Sequence, residues 1–368
     1  MREVRVLKRC SVVAFVSPHG FGHAARVCAV LARLADLRPE IRLTVVTTAP
    51  EWFFRDSLPG RRFEYRSLQV DVGLVQRDSL TADLEATLRS LEGIAPPAPA
   101  LIERAEAILH DAGADIVLCD IAPLGLVAGR AAGIPTVLVE NFTWDWIYEP
   151  FVPTYGEFGP VAQALAEIYA GADIHIQTPP CCRPRAHAVR VGPIARERRA
   201  GTGETRARLG VAADVPLALV SMGGVEWRFE AASVPEHEPI HFVLVGDHAE
   251  ANLPANVTVL PHRSEHYVPD LVAAADVLVG KLGYSTVAEA MAVGCPFAYV
   301  ERSGFAEYAV LASYIAARVP TRQLSAESFR GGEFADAAVQ LLHAPRGAPV
   351  PPVGGQQVAE ILAGVLPG

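Results

Sequence analysis

The sequence predicts an α/β protein of two domains, each a parallel sheet wrapped by helices, facing each other across a cleft. Three observations predict it. Ala275–Glu301 reads ADVLVGKLGYSTVAEAMAVGCPFAYVE. An apolar run at Ala275–Val279 is broken by Gly280 and Gly283; a helix follows with Val287, Ala290 and Met291 inward; Gly294 and Pro296 then lead to a second run at Phe297–Val300. This is strand, glycine turn, helix, strand, the unit of a buried parallel sheet. The second observation is Ser11–Val16, which passes through Ser17-Pro18-His19-Gly20-Phe21-Gly22-His23 into a helix with Val27, Val30, Leu31 and Leu34 on one face. The third is an internal echo. Ala114–Glu140, ADIVLCDIAPLGLVAGRAAGIPTVLVE, lies without a gap over Ala275–Glu301. Both begin Ala-Asp, both close the helix with Ala-x-Gly-x-Pro, and both end in Val-Glu. Like units in two halves imply two Rossmann-type domains.

Composition agrees. The chain has 368 residues, enough for two domains. Hydrophobic residues make up 51% and charged residues 20%, which allows a large core and excludes disorder. The net charge of −9, with no basic block, excludes nucleic acid as the main partner. No apolar run is long enough to be a transmembrane segment. The N-terminal MREVRVLKRCSVVAFVS is basic and then apolar, but its apolar run is short and ends in Pro-His-Gly-Phe-Gly-His rather than a cleavage site. It reads as the first strand. Cysteines 10, 28, 119, 181, 182 and 295 show no paired metal spacing; four lie in apolar segments and read as reduced core thiols, adjacent Cys181 and Cys182 read as a chance pair in a loop or as a redox or metal feature, and a cytoplasmic location is expected.

The remaining elements follow in order. Ile41–Thr47 is a second strand. Residues 60–100 are less regular, and the proline-rich Ala95–Pro99 precedes a helix at Ala100–Ala112. Asp115–Asp120 is a buried strand ending in a carboxylate. A helix is expected near Pro160–Ala170 and a strand at Ile174–Gln177. Arg183–Gly203, rich in arginine, proline and glycine, reads as a linker. Residues 1–192 thus form a first domain, 193–345 a second, and 346–368 a tether and a final helix able to cross back to the first. Within the second, a polar helix at Glu204–Leu209 precedes the strand Leu217–Ser221, and Met222-Gly223-Gly224 is another glycine turn. Phe242–Val245 with Gly246-Asp247, Val257–Leu260 and a helix at Val268–Ala274 complete it.

Carboxyl ends of parallel strands line a ligand crevice. That sets His23 and Asp120 at one edge, where a carboxylate can orient an imidazole acting as base. His19 is the other candidate base. The alternatives are a histidine that only ties its loop and an aspartate that caps the next helix. The overlay puts Lys281 where the first half has Asp120, a cation for phosphate in one domain and a carboxylate for a base in the other. A glycine turn opening onto a helix N-terminus suits a diphosphate. Glu289, one turn into that helix, can reach a ribose diol, or with Thr286 it forms only a capping box. Asn141-Phe142-Thr143-Trp144-Asp145-Trp146 offers amide, carboxylate and indole to a sugar-like acceptor, or packs as core. Glu301 and Arg302 are placed to meet a sugar, or are merely solvated.

On these residues the chain resembles the GT-B glycosyltransferases over nearly its whole length. It resembles in particular the glycosyltransferase-like domain of plant-type L-arabinokinases. The Gly-His loop, Asn-Phe-Ser-Trp-Asp-like segment and Lys-x-Gly-Tyr-x-Thr turn of that domain are similar to residues 19–26, 141–145 and 281–286. The lipid-linked N-acetylglucosaminyltransferase of peptidoglycan synthesis is a more distant likeness. The resemblance implies an inverting, metal-independent transferase without a cofactor, using a UDP-linked nucleotide sugar as substrate and a small-molecule, lipid or glycan hydroxyl as acceptor. It implies that His23 is the base and Asp120 its support. Gly223, Gly224, Lys281, Gly283, Tyr284, Ser285, Thr286, Glu289, Glu301 and Arg302 would hold the donor, and His19, Asn141, Trp144 and Asp145 the acceptor. Two departures stand out: Lys281-Leu282 replaces the usual first glycine of the turn, and there is no Trp-x-Pro-Gln box for the nucleobase. The competing readings are a UDP-sugar 2-epimerase-like isomerase and a non-catalytic nucleotide-sugar-binding module.

Overall fold

The computed structural model describes residues 10–224, 240–246 and 253–367; the basic Met1–Arg9 and Asp247 lie outside them. The first seven-stranded sheet contains β1 (Ser11–Val16), β2 (Arg42–Val46), β3 (Glu64–Arg66), β6 (Ile116–Asp120), β7 (Thr136–Glu140), β8 (Ile174–Gln177) and β9 (Val189–Arg190), while β4 (Gln76–Asp78) and β5 (Thr81–Ala82) form a separate antiparallel hairpin. The second sheet contains β10 (Leu217–Ser221), β11 (His241–Val245), β12 (Val257–Leu260), β13 (Val277–Lys281), β14 (Phe297–Val300) and β15 (Thr321–Leu324). Their orders are β3-β2-β1-β6-β7-β8-β9 and β12-β11-β10-β13-β14-β15. All pairings in both sheets are parallel. Side chains of β1 alternate between two cores, Val12, Ala14 and Val16 on one face and Val13 and Phe15 on the other. The second sheet repeats this with Ala218 and Val220 opposite Leu217 and Leu219. Burial on both faces explains why these strands read as continuous apolar runs.

Each sheet starts at a central strand, builds outward, then restarts on the other side. The order reverses between β1 and β6 and between β10 and β13, and a crevice opens there beyond the strand ends. Val16 pairs with Asp120 in the first sheet, and Ser221 pairs with Gly280 in the second. Asp120 and Lys281 are each the last residue of their strand, in agreement with the overlay of the two halves. Ile121, immediately after Asp120, has φ +45°, a strained value for a β-branched residue that turns the chain sharply at the crevice.

The structure corrects two local expectations. Gly280 does not break the strand. It lies within β13 at φ +143°, where a Cβ would collide with the Ser221 carbonyl oxygen, so glycine serves close backbone approach. Gly283, in extended backbone, caps the Tyr284–Val293 helix without a side-chain hydrogen bond. Neither Ser285 nor Thr286 caps it, and the Thr286–Glu289 capping box does not form.

The final helix, Gly354–Val365, packs along the first helix, Phe21–Leu37. Val358, Ala359 and Leu362 are fully buried in the first domain's core. Burial of the valine and leucine contributes on the order of 1.5–3 kcal/mol each. Gly355 lets the helix approach Ala29 closely, its Cβ position lying 3.3 Å from the Ala29 carbonyl oxygen. No helix among the described residues is long and apolar enough to cross a membrane.

Candidate active site

Between the two domains lies a cavity of about 720 Å³, lined from both sides. Two helices begin on it. The Phe21–Leu37 helix is capped by Gly20 at φ +74° and the Tyr284–Val293 helix by Gly283, and neither has a side-chain cap. Their first N–H groups and positive dipole ends are therefore available to a ligand. The domains are fastened beside these ends. Ser285 Oγ donates to the Gly22 carbonyl at 2.9 Å, and Gly224 packs so tightly that a Cβ would sit 2.7 Å from the Phe21 ring. Tyr284 stacks obliquely with Phe142 and its hydroxyl lies 3.1 Å from Cys182 Sγ, so this side chain joins domains.

His23 enters the cavity wall from the first turn of its helix and is 6% exposed. Its Nδ1 lies 2.7 Å from Asp120 Oδ1. Ionised Asp120 can only accept, so Nδ1 carries the proton and Nε2 is the basic nitrogen. Burial lowers the His23 pKa, and the hydrogen bond and charge of Asp120 only partly restore it. The ring is therefore neutral at pH 7, as a base requires. Asp120 is held as well by Arg26, one helical turn beyond His23, whose Nε and Nη2 each donate at 2.6 Å. Burial opposes ionisation of Asp120, but the Arg26 guanidinium, then His23, outweighs it, and the carboxyl pKa is lowered. Arg26 Nη1 also donates to Asn141 Oδ1, and Asn141 Nδ2 donates to the Thr178 carbonyl at 2.7 Å. The amide of Asn141 is thus committed to positioning Arg26.

His19 lines the cavity, with Nε2 3.1 Å from Gln76 Nε2 and its ring edge-on to Trp144. Burial, then the charges of His23, Lys281 and Arg302, pushes its pKa well down. Gly73 permits this packing, since a Cβ there would lie 2.6 Å from the His19 ring. Trp144 is buried and donates from Nε1 to Asp71 Oδ2 at 3.0 Å, while Ser17 Oγ donates to Asp71 Oδ1 at 3.0 Å. Burial raises the Asp71 carboxyl to about 7 against these two hydrogen bonds. Asp145 is buried and paired with Arg183 at 3.4 Å. Asn141, Trp144 and Asp145 do not line the cavity; Phe142 and His19 present this region to it.

On the opposite wall stand Gly223, Gly224, Lys281, Gly283, Tyr284, Ser285, Thr286, Glu289 and Arg302. Lys281 extends past Gly223, and burial and then Arg302 push its pKa down to about 7. Glu289 is buried and paired through Oε1 with Arg196 Nε and Nη2, both at 3.2 Å. Burial raises its pKa against the pull of Arg196. Arg196, from the linker, also reaches Ser57 Oγ at 3.3 Å and lies 5.1 Å from the ring centres of Phe53 and Tyr267. It therefore touches both domains. Glu301, just past β14, is exposed and does not line the cavity, whereas Arg302 is buried and does.

Arg26, Arg196 and Asp71 carry no motif and escape a reading by spacing. For Arg26 a signal exists: it lies three residues after His23, hence on the same helix face. Nothing in the sequence singles out one arginine among those of the linker.

The fold is that of the GT-B glycosyltransferases. The calicheamicin glycosyltransferase CalG4 superposes with a TM-score of 0.59 at 17% identity, over 97% of this chain and 95% of that one. Arabidopsis thaliana UGT89C1 complexed with UDP-L-rhamnose gives 0.60 at 14% identity, over 96% and 94%. MurG of Acinetobacter baumannii gives 0.51 at 14% identity, over 96% and 99%. In sequence the chain is similar to L-arabinokinase of Arabidopsis thaliana, 33% identical over 299 residues. The match takes in 80% of this chain but spans only 28% of that protein's length. No family model matches the chain.

Proposed function

We propose that the chain is an inverting glycosyltransferase, moving a sugar from a nucleoside diphosphate to an acceptor hydroxyl. The observation that carries this reading is the 2.7 Å contact of His23 with Asp120 on the cavity wall facing the uncapped Tyr284 helix. A neutral, oriented base and an anion-binding helix end are the two parts that metal-independent transfer needs.

His23 Nε2 takes the acceptor hydroxyl proton as the oxygen attacks the anomeric carbon. The bond from that carbon to the diphosphate oxygen breaks on the opposite face, so the configuration inverts. Asp120 stabilises the imidazolium that forms. The leaving diphosphate gains negative charge, met by the free N–H groups and dipole of the Tyr284 helix and by Lys281. Glu289 accepts from the ribose diol and exchanges part of its bond to Arg196 for it. His19 and Phe142 border the acceptor. The donor is a UDP sugar, in keeping with the UDP-L-rhamnose bound by one structural relative. Free thiols at Cys28, Cys119, Cys181, Cys182 and Cys295 suit a cytoplasmic setting.

The test is nucleotide release. The protein is incubated with single nucleotide sugars and a pool of hydroxyl acceptors in the presence of a chelator. Release of nucleoside diphosphate with an acceptor-dependent glycoside product supports the reading. Conversion of the nucleotide sugar to its 2-epimer without acceptor would assign the isomerase instead, and tight binding without turnover the binding module.

A further inference from the structure

Arg302 is a buried cation whose donors are largely idle. It is 7% exposed, lines the cavity, and places its Cζ 3.3 Å from the centre of the Phe305 ring. Its ion pair to Glu307 is long, 3.8 Å from Nη1, and its Nε and Nη2 have no hydrogen-bond partner among the described residues. Leaving a buried guanidinium unsatisfied is costly, and such a group is retained where a ligand completes it. Two acceptors lining the same cavity are idle too, Glu307 Oε2 and Gln76 Oε1.

The topology separates this group from the diphosphate. The Tyr284 helix and Lys281 follow β13, whereas Arg302 follows β14, the next strand out. Neighbouring strands are about 4.8 Å apart, roughly the width of a sugar ring. Arg302 therefore stands beside the diphosphate subsite rather than within it. A planar fork matches a carboxylate with two parallel bonds. Glu307, close by, disfavours a doubly charged phosphate at the same spot, while its Oε2 and Gln76 Oε1 suit sugar hydroxyls as donors.

We propose that Arg302 receives a carboxylate carried by a bound sugar, so that one substrate of this cavity is a uronic acid. This rests on the nucleotide-sugar reading above. The carboxylate belongs either to the transferred sugar or to the acceptor, and the chemistry at Arg302 is the same.

The experiment is calorimetric titration of wild type, Arg302→Gln and Arg302→Lys at one salt concentration. The ligands are UDP, UDP-glucose, UDP-glucuronate, UDP-galactose and UDP-galacturonate. A second arm adds free glucuronate or glucose to protein saturated with UDP. The expected result is a preference of about 10- to 100-fold for the carboxylate member of one pair, the worth of a charge-assisted hydrogen bond. Arg302→Gln abolishes that preference and leaves UDP affinity within about twofold; Arg302→Lys retains part of it. Preference in the first arm makes the transferred sugar the uronic acid, and preference in the second makes it the acceptor. Equal loss of UDP and UDP-uronate affinity in Arg302→Gln would assign Arg302 to the diphosphate and overturn the inference, as would the absence of any carboxylate preference. Should Arg302→Gln not fold, the wild-type preferences and Arg302→Lys decide alone. Failure of wild type to bind UDP at all would overturn the UDP-donor reading itself, a result separable from either.

Discussion

Arg26 grips Asp120 through two bonds of 2.6 Å while His23 Nδ1 shares the same carboxylate at 2.7 Å. His23 is therefore one arm of a three-residue network, not of an isolated pair. Arg26→Met leaves Asp120 buried beside only a histidine and should cost about 3–5 kcal/mol in urea unfolding. The sign with pH follows from the lowered Asp120 pKa. Its contribution is full above the unfolded value of about 3.9 and is lost as pH falls through the lower folded value. In Arg26→Met the Asp120 pKa moves up toward its unfolded value, so this acid loss of stability shrinks, and the His23 pKa rises because the Arg26 charge that lowers it is gone. An unchanged acid limb would contradict this account of the network.

Glu289 faces a different choice from the one its spacing suggests. It is not a cap for its own helix; it balances Arg196. Glu289→Ala is expected to weaken UDP binding by about 1.5–3 kcal/mol, the worth of a charge-assisted hydrogen bond to ribose. It also destabilises the free protein, since Arg196 loses its partner. If the melting temperature falls while UDP affinity holds, Glu289 serves Arg196 only.

Lys281 predicts a proton linkage. With a free-state pKa of about 7, set by burial and Arg302, it is largely neutral at pH 8 and cationic at pH 6. A diphosphate beside it favours the cation, so binding at pH 8 takes up close to one proton and binding at pH 6 takes up almost none. UDP affinity accordingly declines as pH rises above 7. Calorimetry in buffers of different ionisation enthalpy reads the proton count, and Lys281→Met should abolish the uptake at pH 8.

Much of this fold is legible in the sequence because parallel strands buried on both faces leave unbroken apolar runs, as at Ser11–Val16 and Leu217–Ser221. That His23, Asp120 and Lys281 come to one crevice is legible because each lies at or just beyond a strand end beside a sheet's reversal point. What spacing cannot convey is how a polar side chain spends its hydrogen bonds. Asn141 and Asp145 look like acceptor contacts in a line of residues, yet one is consumed by Arg26 and backbone carbonyls and the other is paired with Arg183. Gly280 resembles a turn residue because a glycine needed for close backbone approach and one needed for a turn are the same letter.

The central claim is that His23 is the base and Asp120 acts through it, and the double-mutant cycle on turnover tests it most directly. Nucleotide release is measured at saturating donor and acceptor for wild type, His23→Ala, Asp120→Asn and the double variant, with His19→Ala as control. His23→Ala should lower kcat by about 10²–10⁴ with donor affinity nearly intact. Asp120→Asn should fall in the same direction, and the double variant should be little worse than His23→Ala, because residues acting as a unit fail together. Losses that multiply, or a greater loss in His19→Ala than in His23→Ala, would contradict the account and make His19 the base.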